Sequence, residues 1–358
     1  MKVLLWGTGK IANEVLDNCL TLGKYEIVGV IDNNKNKKMF REYPVYNPES
    51  IKKLKFDKIV ILTDYFEEIK KQIDENFPEL SSIIENKNFF YKESLLQRYS
   101  DVENIELKKV VDYIKQNGLD IFNYDFVQKY KQLSIEVFFD ETEQLYFVYH
   151  FGKKLYFSRK LNSVEKVRKY YSFLLMEQDK ESPHRYLSQT FNVNDGDVVV
   201  DVGVAEGNFS LEVIDKASKI YLIETDKDWI DALKVTFRPY MHKVIIINKY
   251  ITSYNEDLYA TLDQLIREPV NFIKMDIEGN EWDALKGSQD LLNLSRKKLK
   301  MCICTYHSDF DSVLIEDFLK KMHLTYSYTN GYMWFPFKIR QTYVSTSLNP
   351  AVIRVDNI

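Results

Sequence analysis

Residues 198–209 read V-V-V-D-V-G-V-A-E-G-N-F, and their reading decides the fold of the C-terminal half. Three valines ahead of Asp201 make a buried strand, and Gly203 and Gly207 permit a tight turn from strand to helix. In such a turn the backbone can approach a ligand where a Cβ would clash. The following helix offers unpaired N–H groups to a carboxylate. Further strands follow at I-Y-L-I-E (220–224), V-I-I-I-N (244–248), N-F-I-K-M-D (271–276) and K-M-C-I-C-T-Y (300–306). Helical spacing separates them near 205–216, 229–237, 281–292 and 313–322, so the sheet is parallel. The segments 324–328 and 342–347 read as a closing hairpin.

Glu224 ends the second of these strands, at the sheet edge where open α/β folds bind ligands. An acid there can accept both hydroxyls of a ribose. The loop lacks the spacing of a dinucleotide fingerprint and the Lys-Ser/Thr of a P-loop. A phosphate-free adenosine ligand therefore fits better than NAD or ATP.

Four blocks, D-V-G-V-A-E-G-N-F (201–209), Y-L-I-E-T-D (221–226), F-I-K-M-D-I-E-G-N-E-W-D-A-L-K-G-S (272–288) and C-I-C-T-Y-H (302–307), resemble the FkbM-type S-adenosylmethionine-dependent methyltransferases. The match in order and spacing runs over about residues 195–354. The stretch from E-V-F-F-D (136–140) to Q-D-K-E-S-P-H-R-Y (178–186) is similar to the segment ahead of this domain in some members. Val204 departs from the alanine of many members. The resemblance implies a seven-stranded class I methyltransferase sheet and O-methylation of sugar or polyketide hydroxyls. It also implies that Asp201, Gly203, Glu206 and Gly207 line the methionine end of the cofactor and that Glu224 holds the ribose. Asp276 would face the sulfonium and the acceptor, with Glu278 and Glu281 beside it.

Transfer to an alcohol needs alignment and removal of a proton. His307 follows a strand, and an ordinary imidazole, neutral at cytoplasmic pH, suits a general base; Asp276 is the rival. His184 and Arg185, in S-P-H-R-Y, are read as capping the pocket, Arg185 by binding an acceptor's phosphate or carboxylate. Glu281 reads equally well as a dipole-stabilising acid at a helix start. No metal is assigned to Asp276, Glu278 and Glu281, whose convergence depends on the turn.

The first hundred residues also alternate strand and helix: strands at 2–6, 26–31, 58–63 and 89–91, helices at 10–22 and 65–76. G-T-G-K-I-A (7–12) follows a strand and Asp32 ends the next, the G-x-G-x-x-A form of the dinucleotide fingerprint on Gly7, Gly9 and Asp32. It points to a second class of function, an NAD(P)-dependent oxidoreductase or a nucleotide-sugar-binding protein, although no hydride-transfer set accompanies it. A scaffold or dimerisation role, and hence a homo-oligomer, is the bland reading. The expected division is 1–100 nucleotide-binding, 101–190 helical linker with an antiparallel meander at 135–157, and 191–358 methyltransferase.

With 358 residues, two domains are the default. A net charge of −4 gives no basic field for nucleic acid or anionic lipid. The C-x-C of Cys302 and Cys304 lies in an apolar run and reads as packing; with Cys19 it makes no disulfide framework, so a reducing, cytoplasmic setting is expected. No apolar stretch reaches membrane-spanning length. The expected partner is a sugar or nucleotide-sugar acceptor.

Overall fold

The computed structural model describes residues 1–18, 22–308, 310–336, 338–339, 343–344 and 347–357. Cys19 lies outside these. The chain forms two compact units, Met1–Asn123 with Trp334–Leu348, and Tyr124–Met333 with Asn349–Ile358. This differs from the expected boundaries at 100 and 190. The helix Ile105–Asn117 belongs to the first unit, while the aromatic meander packs within the second through Leu145, Phe147, Tyr156 and Ala232.

The first unit carries β1 (Lys2–Trp6), β2 (Glu26–Ile31), β3 (Met39–Phe40), β4 (Tyr43–Tyr46), β5 (Lys58–Ile61) and β6 (Ile84–Glu85), in the order β3-β4-β2-β1-β5-β6. All neighbours are parallel except β3 with β4. β1 is buried on both faces, as a central parallel strand requires. The helices Lys10–Asn18 and Phe66–Asn76 follow β1 and β5. Residues 89–91, expected as a strand, instead open the helix Phe89–Arg98. Phe89, Phe90, Tyr91 and Leu95 are buried together, and Tyr25 packs edge-on against both phenylalanines. Tertiary packing here overrides the β preference of three aromatic residues.

In the second unit, β7 (Phe138–Asp140), β8 (Leu145–His150) and β9 (Lys153–Tyr156) form the antiparallel meander. The helix Val164–Glu177 follows, capped by Ser163, whose hydroxyl accepts the Lys166 N–H. Next come β10 (Val198–Val202), β11 (Lys219–Ile223), β12 (Val244–Ile247), the short pair β13 (Tyr250–Ile251) and β14 (Tyr259–Ala260), β15 (Phe272–Met275), β16 (Lys300–Cys304), β17 (Tyr326–Tyr328) and a last strand, Val352–Asp356. The main sheet runs β12-β11-β10-β15-β16, all parallel, then Val352–Asp356 and β17, both pairings antiparallel. This is the expected seven-stranded arrangement. Tyr326–Tyr328 pairs with Val352–Asp356 rather than with 342–347, because the intervening excursion belongs to the other unit. Of 342–347, residues 342, 345 and 346 lie outside the described part. Among the described residues no helix is long and apolar enough to cross a membrane.

Strand order reverses beside β10, between its neighbours β11 and β15. Ligands of open α/β sheets bind at the carboxyl edge of such a point.

Candidate active site

At that edge a cleft of about 780 Å³ is lined by Gly203, Ala205, Glu224, Asp226, Trp229, Tyr250, Asp276, Glu278 and Asn280, among others. Its floor is backbone. Gly203 lies at φ 78°, and a Cβ there would fall on the Asp276 carbonyl oxygen. The tips of β10 and β15 can therefore meet only through glycine, and the Asp276 N–H donates to the Val202 carbonyl at 3.0 Å. Gly207 serves packing: at φ 87°, its Cβ would come within 2.8 Å of Leu233 and Phe237.

Glu224 stands at the tip of β11, almost fully buried. Its Oε2 accepts the Ala205 N–H at 2.8 Å, and its Oε1 accepts the N–H groups of Thr225 and Asp226 at 2.6 and 2.8 Å. Three backbone donors fix the carboxylate in the cleft wall and leave it lone pairs for further donors. Ala205 takes φ 48°, an uncommon conformation for alanine, at the residue that reaches Glu224.

Asp276 faces the cleft from the tip of β15. Its Oδ2 accepts the Tyr186 hydroxyl at 2.6 Å; its Oδ1 lies 3.5 Å from His307 Nε2 and 3.5 Å from the Tyr306 hydroxyl. Burial alone would raise its pKa. The cationic His307 and Lys274 outweigh that and hold the carboxyl near 2. On the other side of its ring, His307 Nδ1 lies 3.0 Å from Glu281 Oε1. Burial opposes the charge on His307, but Glu281 and then Asp276 push its pKa up to about 9. The imidazole is thus a cation at neutral pH, not the neutral ring expected of an ordinary histidine. The reason is the pair of carboxylates that bracket it.

Asp276, Glu281 and His307 offer ligand atoms within 4.8 Å of one another, a set able to hold a metal ion. Opposite nitrogens of His307 face the two carboxylates, so the ring itself already supplies the cation between them.

A protein-family model described as the methyltransferase FkbM domain matches residues 146–328, just over half of the chain. The chain belongs to the FkbM methyltransferase family. Residues 1–84 match a second model, described as C2185-like, N-terminal. Among solved structures, the chain is similar to the methyltransferase FkbM from Methylobacillus flagellatus KT, at 15% identity over 99% of this chain and 89% of that one, with a TM-score of 0.48. It is also similar to an rRNA methylase from Streptococcus thermophilus, at 14% identity over 46% of this chain and 89% of the other, TM-score 0.33. A precorrin-6y C5,15-methyltransferase from Geobacter metallireducens GS-15 gives 10% identity over 47% and 83%, TM-score 0.33. No curated protein matches.

The remaining expected residues of this FkbM methyltransferase fall into two places. Gly203, Glu224, Asp276 and Glu278 line the cleft; Asp201, Glu206 and Gly207 stand behind it. Asp201 is fully buried, pairs with Lys274 at 3.1 Å and accepts the Ser210 hydroxyl at 2.7 Å. Glu206 accepts the Tyr170 hydroxyl at 2.8 Å, and burial raises its pKa to about 7. His184 is buried rather than at the surface, with Nε2 2.9 Å from the Tyr306 hydroxyl and 3.8 Å from Asp276; burial drives its pKa down to about 4, so its ring is neutral. Arg185 is occupied elsewhere. Its guanidinium donates to the Leu187 and Gln178 carbonyls. Glu281 is neither exposed nor merely a helix-start acid: it accepts the N–H groups of Ile277 and Gly279 at 2.8 and 3.0 Å.

Several members of this set carry no recognised signal. Lys274 is buried in β15, donates to the Gly203 carbonyl and pairs with Asp201; burial works against its charge, but Asp201 and Asp276 outweigh it and raise its pKa above an ordinary lysine. Its one sequence mark is a cation inside an apolar strand. Tyr186, Tyr306 and Glu177 converge on Asp276 and His184 from three different segments. Cys302 and Cys304 pack in β16, and burial pushes both thiols far up, so they stay protonated.

Proposed function

We propose that the chain is an S-adenosylmethionine-dependent O-methyltransferase acting on a hydroxyl of a sugar, nucleotide-sugar or glycan precursor, with a cytoplasmic site of action. The observation that carries the reading is the joint placement of Glu224, the bare turn at Gly203 and the ionised Asp276 in one cleft. The residues fit the cofactor. Glu224 offers carboxylate oxygens to ribose hydroxyls, the absent Cβ of Gly203 leaves backbone exposed beneath, and the negative Asp276 suits a neighbouring sulfonium. The cofactor, when bound, supplies a methyl group already activated for in-line displacement.

The protein's part is to orient the acceptor and take its proton. Methylation of an alcohol oxygen sheds its O–H proton, and Asp276, the carboxylate facing the cleft, would take it. His307, as imidazolium, keeps Asp276 ionised and aimed. Tyr186 holds the other oxygen. The sugar acceptor rests on the family resemblance.

Full-length protein incubated with labelled cofactor and a small-molecule extract tests this. Label should appear in a sugar or sugar nucleotide. Label on protein, RNA or lipid, with none on sugar, would remove the acceptor reading.

A further inference from the structure

The first unit has a cleft of its own, lined entirely by residues of that unit. In its sheet β2 and β5 flank β1 on opposite sides, so the strand order reverses at β1. A crevice of about 630 Å³ opens at that edge, lined by residues that include Trp6, Gly7, Thr8, Gly9, Lys10, Asp32, Lys37 and Tyr65. Gly7, at φ 109°, presses the turn against β5: a Cβ there would lie 3.1 Å from the Leu62 carbonyl oxygen. At Gly9 an added Cβ would meet nothing within 4 Å, so that side of the turn is open. The first N–H groups of the helix Lys10–Asn18, which have no partner within their helix, start here, and no acid occupies the helix's first turn.

Asp32 stands at the tip of β2 with its carboxylate in the crevice. It accepts the Thr8 hydroxyl and the Asn34 N–H, the latter at 2.8 Å. Lys37 donates to the same Thr8 hydroxyl and lies 3.9 Å from Asp32, so a cation stands beside the acid at the crevice wall. Trp6, only 1% exposed, closes the crevice from below and anchors it in the unit's core beside Leu4, Ile31 and Ile61.

We propose that this crevice binds the ribose and diphosphate of a nucleotide, the ribose hydroxyls donating to Asp32 and the phosphates lying on the Gly7–Ile11 turn with Lys37 beside them. A dipolar helix start and one lysine match the anionic part, and a strand-end carboxylate matches the diol. A nucleoside diphosphate, a nucleotide-sugar and a dinucleotide share this chemistry. The inference is independent of the methyltransferase reading.

The test is calorimetric titration of the full chain with UDP, ADP and NAD⁺, each with and without saturating S-adenosylhomocysteine. At least one should bind, unaffected by S-adenosylhomocysteine. Asp32→Ala should weaken it about tenfold or more, the scale of losing hydrogen bonds to a charged group. Lys37→Ala, at a half-exposed side chain where folding is not at stake, should weaken it several-fold, about threefold or more. Glu224→Ala should leave it unchanged. The ligand that binds identifies the source. No binding of any of the three at millimolar concentration overturns the proposal. So does binding that Lys37→Ala and Asp32→Ala leave intact, or that S-adenosylhomocysteine displaces.

Discussion

At the scale of single residues, charge states decide the chemistry. His307 sits between Asp276 and Glu281, and a ring so placed holds its proton to about pH 9. Asp276→Asn should lower kcat by at least about a hundredfold, the lower range for losing a general base. The pH–rate profile separates the two candidate bases. With Asp276 as proton acceptor and His307 as its cationic partner, kcat falls as pH rises through 9. A neutral His307 acting as base would instead make the rate climb across the same range, and that result would reverse the roles. Glu224 is the second test at this scale. Glu224→Ala should weaken S-adenosylhomocysteine by about 1–3 kcal/mol, the cost of losing charged hydrogen bonds. Calorimetry would show it, and unchanged affinity would take Glu224 out of the site. Both acids are visible in the sequence as strand-end residues. The charge of His307 is not, because Glu281 reaches it only after the turn at 277–280 folds back.

At the scale of elements, the site is two turns held against each other. One is the turn after β10, which contains Gly203 and Ala205. The other follows β15, where Glu278 takes φ 56° and Gly279 φ 101°. Glu281 holds this second turn by accepting its N–H groups, and Lys274 ties the first by donating to the Gly203 carbonyl. Strain at Glu278, of order 1–3 kcal/mol, is offset by those bonds. Gly203→Ala has no room for its methyl group. It should lose most cofactor affinity and activity, and melt at lower temperature, because the strand tips must part. A Gly203→Ala enzyme with normal turnover would show that the contact is dispensable. The central parallel strands of both sheets were legible because β-branched runs bounded by Gly, Asp and Asn leave few alternatives; the closing strand Val352–Asp356 was not. The helix Phe89–Arg98 was not, since Phe-Phe-Tyr reads as strand until Tyr25 is known to pack on it. The strands Met39–Phe40 and Tyr43–Tyr46 carry no such signal because they are short and half-exposed at a sheet edge.

At the scale of the whole molecule, the buried ionisable groups tie stability to pH. His307 titrates near 6.5 when unfolded and about 9 when folded, so its contribution is complete below pH 6.5 and is lost as pH rises through 9. Glu177, raised to about 8 by burial and by Asp276, fades in the same direction from about 4.5 upward. His184 and Asp276, both shifted down, lose theirs only in acid, as pH falls toward about 4 and about 2. The thermal midpoint should therefore drop by roughly 5 °C between pH 7 and 9.5. His307→Gln should flatten that slope, and a slope unchanged in His307→Gln would show that other groups cause it. The presence of two α/β units was legible in their strand and helix alternation. Their boundary was not, because one unit borrows a segment from far along the chain.

That borrowing has a consequence for taking the protein apart. The chain leaves the methyltransferase unit after Met333 and re-enters it at Asn349, and these two residues pair across an antiparallel bridge with two backbone hydrogen bonds of 2.9 Å. Exit and return are therefore neighbours, as at the mouth of a hairpin. Simple truncation before Tyr124 would strand Trp334–Leu348, whose buried Trp334 packs on Tyr91, as a greasy orphan loop prone to aggregate. Replacing the loop by a two-residue Asn-Gly turn between Met333 and Asn349 should instead release a soluble unit, since such a turn closes paired strands without strain. The bridge marks where a protein engineer can cut.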